Sequence, residues 1–150
     1  MRKIMFRAWY KRKKYMVTTS SVACDLSKWG YSDDYILMQF TGMLDQSGKE
    51  IYEGDIVKIA NIKVWSEDFI KPMKGTSGVV KWINEGGEYW MDLIWDKNKK
   101  EASREFLRLV GDEWNQEMDE IESNNLLVIG NIYANPELVA EQKTKKKTKK

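Results

Sequence analysis

The sequence predicts a small, mostly β domain of the α+β class: an antiparallel, partly barrel-like sheet with short helices and a disordered basic C-terminal tail. Three observations predict it. Residues 37–59, LMQFTGMLDQSGKEIYEGDIVKI, hold two turn signals between short apolar runs and end in an alternating strand. Residues 77–95 read as a tryptophan-bearing hairpin around Asn84-Glu85-Gly86-Gly87, and residues 126–133 are a further β-prone run. Short runs of period two, separated by Gly, Asn, Asp and Ser, are strand and turn chemistry. A chain of 150 residues suits one domain with a modest core. That domain is placed at 1–142, with an acidic insertion at about 111–125 and the tail at 143–150.

Taken in order, Ile4, Phe6 and Ala8 alternate with Met5, Arg7 and Trp9, so residues 3–10 form the first strand. Residues 11–14 turn the chain, and Tyr15-Met16-Val17 begins the return strand of a hairpin with a basic tip. Residues 18–34 are polar and read as a long connection, anchored by Cys24, Leu26 and Trp29, with room for one helical turn. Ile36, Met38 and Phe40 alternate with Leu37 and Gln39 in a mostly buried strand that Thr41-Gly42 breaks. Asp45 is placed to accept backbone N–H groups two residues on, and Gly48 closes that turn with a positive φ. Glu53-Gly54-Asp55 is a second tight turn, whose glycine lets one strand corner into the next sheet. Beyond it, Ile56 and Lys58 face opposite to Val57 and Ile59.

Residues 61–75 form a second long loop, anchored by Val64, Trp65, Phe69 and Ile70. In the hairpin at 77–95, Val80, Trp82, Tyr89 and Trp90 fall near the turn, and aromatic cross-strand pairs are expected. Ala102, Phe106, Leu109 and Val110 are spaced as a helical stripe, so residues 100–110 are read as helix, with a short strand at 105–107 as the alternative. Trp114, Met118 and Ile121 are spaced for a second short helix or an ordered insertion over 111–125. After the strand at 126–133, Asn135-Pro136 reads as an N-cap followed by proline at the first helical position. Residues 137–142 then form a short closing helix.

Composition excludes several chemistries. The chain has no histidine and one cysteine, Cys24. Histidine-based triads, Cys-His pairs, histidine-ligated metals and structural zinc are therefore excluded, as is an internal disulfide. What remains for an enzyme is carboxylates, lysines, tyrosines and carboxylate-held magnesium. No apolar run approaches the roughly 20 residues of a spanning helix, and the run at 4–9 is broken by Arg7, so no signal-peptide core is present. A cytoplasmic protein is expected. The net charge of +2 hides segregation. Residues 1–14 hold seven basic side chains and no acid, and residues 143–150 six lysines and no acid. Residues 15–142 hold twelve basic and all twenty-three acidic side chains, an acidic body between basic ends.

Five features invite a functional reading. Asp45, Glu50, Glu53 and Asp55 could gather as a metal or acid–base cluster, but they sit where turns want acids and lack a second ligand type, so turn chemistry is the better account. Lys11, Arg12, Lys13 and Lys14 form either a phosphate-binding tip or an ordinary solvated hairpin end. Trp82, Trp90 and Trp95 could stack bases, yet Glu85, Glu88 and Asp92 flank them instead of cations, which favours sheet packing. The acids at 112–122 read as a solvated face. The tail, with Lys145, Lys146 and Lys147 at its centre, could contact nucleic acid non-specifically or serve only as a solubilising end.

Three stretches resemble the YopX-like family of phage and prophage proteins. Ile4-Met5-Phe6-Arg7-Ala8-Trp9 is similar to its opening I-x-F-R-A-W, although the acid that usually follows is Tyr10 here. Residues 38–45 and 48–57 follow its M-Q-Y-T-G-L-K-D and G-K-E-I-Y-E-G-D-I-V, and residues 128–138 resemble V-I-G-N-I-Y-E-N-P-E-L. The resemblance implies a phage or prophage accessory protein, β-rich and self-associating, without established chemistry. The expected function is a non-enzymatic, cofactor-free, oligomeric scaffold that binds a host or phage macromolecule in the host cytoplasm, with no membrane partner. The alternative is a nucleic-acid-binding module using Lys11–Lys14 and the lysine tail.

Overall fold

The computed structural model describes residues 4–17, 32–60, 75–83, 87–94, 106–110 and 120–139. Ten strands run through them: β1 (Phe6–Tyr10), β2 (Tyr15–Val17), β3 (Tyr35–Leu44), β4 (Glu50–Tyr52), β5 (Asp55–Ile59), β6 (Ser77–Ile83), β7 (Glu88–Ile94), β8 (Phe106–Val110), β9 (Glu120–Glu122) and β10 (Leu126–Asn131). They form a four-stranded sheet in the order β2-β1-β3-β4 and a six-stranded sheet in the order β10-β5-β6-β7-β8-β9. Every pairing is antiparallel except β8 with β9. The mostly β, antiparallel class expected from the turn-punctuated runs is the class observed.

The corner between the sheets is Glu53-Gly54, which carries the chain from β4 straight into β5. Gly54 has φ of +76°, a conformation side chains resist. Its N–H donates to Val80 O at 2.9 Å, and its carbonyl accepts Ile132 N–H at 2.9 Å. One residue thus ties the corner to β6 and to the segment after β10.

Alternation in β5 distributes its side chains as the sequence predicts. Val57 and Ile59 pack with Ile51, Val80, Tyr89 and Leu126. On the other face Ile56 packs with Val79, covered by Ile132, Leu138 and Val139. The first sheet contributes its own cluster of Met5, Met38, Phe40 and Tyr52, flanked by Trp9, Met16 and Tyr133. Each fully buried aliphatic chain is worth about 1.5–3 kcal/mol. The closing segment is therefore part of the core, since its Ile132, Leu138 and Val139 pack over Ile56 and Val79.

Several expectations change. Thr41-Gly42 does not end β3; the strand bends there and continues to Leu44, with its register to β4 shifting between Phe40 and Leu44. Thr41 bridges the irregularity, its hydroxyl donating to Ile51 O at 2.9 Å and accepting Met43 N–H at 3.2 Å. Residues 106–110 are strand, not helix. Trp90, Met91 and Asp92 pair with Arg108, Leu107 and Phe106, and a five-residue run that fits both periods takes the one the open β7 edge can pair with. Residues 120–122 are strand too, followed by a 3-10 turn at Ser123–Asn125. Helix is seen at residues 137–139. Asn135 starts it through its carbonyl, which accepts Leu138 N–H at 3.1 Å, while its side-chain oxygen turns back to accept Asn131 N–H at 3.2 Å. The readings of residues 18–31, 61–74, 95–105, 111–119 and 140–150 lie outside the described residues. No helix among the described residues is long and apolar enough to cross a membrane.

Candidate functional site

The four turn carboxylates do not gather into one group; Asp45, Glu53 and Asp55 each hold backbone N–H groups, and Glu50 holds a side-chain hydroxyl. Asp45 is buried, at 5% exposure. Its Oδ1 accepts Ser47 N–H at 2.8 Å, Ser47 O–H at 2.7 Å and Lys49 N–H at 2.9 Å, which is the turn that its sequence position predicts. Its Oδ2 accepts Val128 N–H at 2.9 Å, 83 residues away. Desolvation alone would raise this carboxyl's pKa, but the bonds from Val128, Ser47 and Lys49 outweigh it and hold the group below its ordinary value. Gln46 N–H also reaches Leu126 O at 2.9 Å, so the turn covers the outer edge of β10. Glu50 accepts the Tyr52 hydroxyl at 2.9 Å, and Glu53 accepts Gln39 N–H at 2.9 Å. Among the described residues no three acids gather in a metal-holding group.

Asp55 belongs to a buried polar cluster that the sequence reading missed. Arg7 donates to its Oδ1, with side-chain exposures of 13% and 1%. Tyr52 N–H donates to Oδ2 at 2.9 Å, and Asn131 Nδ2 lies 3.4 Å from Oδ1. The guanidinium carbon sits 4.4 Å from the Tyr52 ring centre, a cation–π contact. A signal for Arg7 was present: it alternates in step with Met5 and Trp9, both of the first sheet's core, and a charge on an apolar face needs a partner. Nothing local says that the partner is Asp55. The cluster joins all three stretches that carried the family resemblance, through Arg7, Asp55 and Asn131. It is a structural clasp between the two sheets.

The open, chemically distinctive surface is the β1–β2 hairpin end. Lys11, Arg12, Lys13 and Lys14 form the turn and are all exposed. Lys14 has φ of +53° and donates its N–H to Tyr10 O at 2.8 Å. Arg12 pairs with Asp34 at 2.7 Å, and the Lys11 ammonium bonds the Asp33 carbonyl. Below the turn, Tyr10 is in register with Tyr15 on β2 and Tyr35 on β3. The rings of Tyr10 and Tyr35 stack at 4.7 Å and 19°, and Tyr15 meets Tyr10 edge-on at 5.5 Å. Desolvation, reinforced by Tyr10 and Tyr15, holds the Tyr35 phenol above its ordinary pKa.

Trp82 packs edge-on against Tyr89, with ring centres 4.7 Å apart, while Trp90 pairs with Lys81 in the next rung. Trp95 and the lysines at 145, 146 and 147 lie outside the described residues.

No curated protein matches the chain. Among solved structures it is similar to the crystal structure of protein EF1440 from Enterococcus faecalis, with 20% identity, a TM-score of 0.49, and coverage of 93% of this chain and 99% of that one. The profile described as YopX protein matches residues 18–140, which include Asp55 and Asn131 and begin just after the β1–β2 hairpin. On that match the chain belongs to the YopX protein family.

Proposed function

We propose that this protein is a non-enzymatic accessory binding protein, encoded by a phage or prophage, that self-associates and acts on a host or phage macromolecule in the bacterial cytoplasm. One observation carries the non-catalytic part. Asp45, Glu50, Glu53 and Asp55, the best candidates for chemistry in a chain without histidine, are each bonded to backbone or to a neighbouring side chain in separate places. A thermal-shift scan with magnesium and manganese tests it. No stabilisation is expected; a concentration-dependent rise in Tm that Asp45→Ala or Glu53→Gln removes would make the carboxylates a metal site. Self-association is tested by sedimentation, with a mass above the monomer's 17.7 kDa expected.

A second reading, a nucleic-acid-binding module, is favoured by the hairpin end, where four exposed cations lie between two tyrosines in register. Binding that weakens steeply with salt is the expected behaviour.

A further inference from the structure

The β1–β2 hairpin reads Tyr10-Lys11-Arg12-Lys13-Lys14-Tyr15, and its fold sorts those residues by availability. Arg12 is engaged by Asp34 and Lys11 by the Asp33 carbonyl. Lys13 and Lys14 are exposed and make no ion pair among the described residues. Tyr10 is covered on one face by the stacked Tyr35. Tyr15, on the edge strand of the sheet, stands beside it at 48% exposure. Two exposed cations thus adjoin one half-open ring, which meets Tyr10 edge-on while Tyr10 stacks on Tyr35.

We infer that this hairpin end is a docking site for single-stranded nucleic acid, with Lys13 and Lys14 contacting phosphates and Tyr15 stacking on a base. The inference rests on the second functional reading and gives it a place and a strand type. Paired bases are stacked on each other and cannot offer a face to Tyr15, whereas an unpaired strand offers base faces and phosphates together. The charge distribution confines the site. Residues 15–142 carry almost twice as many acids as bases, so a polyanion is repelled from most of the body and drawn to the basic end. The tryptophan hairpin carries no such run of cations: Lys81 is the one base in residues 77–95, and Glu85, Glu88 and Asp92 flank the aromatics.

Fluorescence anisotropy of the full chain with a labelled oligothymidylate tests the assignment, at low and moderate salt. Lys13→Glu with Lys14→Glu should weaken binding at least tenfold and flatten the logarithmic salt slope by roughly 1.4, as expected for two lost single-strand phosphate contacts. Tyr15→Ala should weaken binding roughly tenfold with the slope unchanged, Tyr15→Phe should bind like the parent, and a duplex should bind less well than the single strand. These positions are exposed, and an unchanged Tm confirms that each variant folds. If both tip variants bind like the parent while Lys145→Gln, Lys146→Gln and Lys147→Gln together abolish binding, the tail is the site: the inference falls and the broader nucleic-acid reading stands. If no oligonucleotide binds even at low salt, both fall. Tip variants that lower the sedimentation mass without touching oligonucleotide affinity assign the surface to a second copy, and also overturn it.

Discussion

Arg7 and Asp55, 48 residues apart in sequence, form a buried ion pair between the first strand of one sheet and the first strand of the other. Asn131 and Tyr52 complete the shell of the carboxylate. The sheets are thus locked by charge as well as by apolar packing. Three separated stretches, residues 4–9, 48–57 and 128–138, each supply one part of a single clasp through Arg7, Asp55 and Asn131.

Removing one partner strands the other charge out of water. Arg7→Met or Asp55→Ala is expected to cost about 3–5 kcal/mol, measured by urea denaturation. The double variant should lose less than the two single losses combined, because neither charge is then left alone. Single losses below about 1 kcal/mol would place the pair with weak surface bridges and remove its clasp role.

Asp45 makes part of the stability acid-sensitive. Its folded pKa lies below its ordinary value because the bonds to Val128, Ser47 and Lys49 outweigh desolvation. A depressed carboxyl contributes stability that is complete above the ordinary carboxylate range and lost as pH falls through the folded pKa. Asp45→Ala should therefore cost about 1–3 kcal/mol at neutral pH, mainly by leaving Val128 N–H without its acceptor. The gap between variant and parent should narrow below the ordinary carboxylate range. A gap that stays constant from pH 7 to pH 3 would contradict this account.

Gly54 and Gly130 should resist alanine for different reasons. At Gly54 a Cβ meets only ordinary contacts, the nearest being Asn131 Nδ2 at 3.4 Å, but φ of +76° strains it, at about 1–2 kcal/mol. At Gly130 a Cβ would lie 2.8 Å from both Asn135 Oδ1 and Leu138 Cδ1, so the closing segment must move off Ile56, at about 1–3 kcal/mol. Limited proteolysis separates them. Gly130→Ala should speed cleavage after residue 131, whereas Gly54→Ala should lower Tm without favouring that site.

Trp82 and Tyr89 fasten the turn end of the β6–β7 hairpin. Trp82→Ala should destabilise by about 0.5–1.5 kcal/mol beyond the loss of buried area and should diminish the near-ultraviolet circular dichroism of the coupled rings. It should leave oligonucleotide affinity unchanged, since the docking site proposed above lies on the other sheet. A matching loss of affinity would move the stacking surface to this hairpin.

The sequence by itself determined what is local. Turn chemistry at Asp45 and Gly48, the corner at Gly54, the two-sided alternation of Ile56 and Val57, the Trp82–Tyr89 pairing and the basic tip at residues 11–14 were all legible, because each depends on a few neighbouring residues. Tertiary structure decided what depends on distant partners. Residues 106–110 carry a spacing compatible with helix, and only the unfilled edge of β7 makes them strand. Arg7 has no neighbour in sequence that explains it, and only the meeting of the two sheets provides Asp55. Tyr10, Tyr15 and Tyr35 look like unrelated aromatics until strand register sets them side by side at the hairpin end. Short-range backbone preferences are written in consecutive residues; the pairing of buried charges and the alignment of rings exist only after chain segments that ignore one another in sequence are brought within a few ångströms.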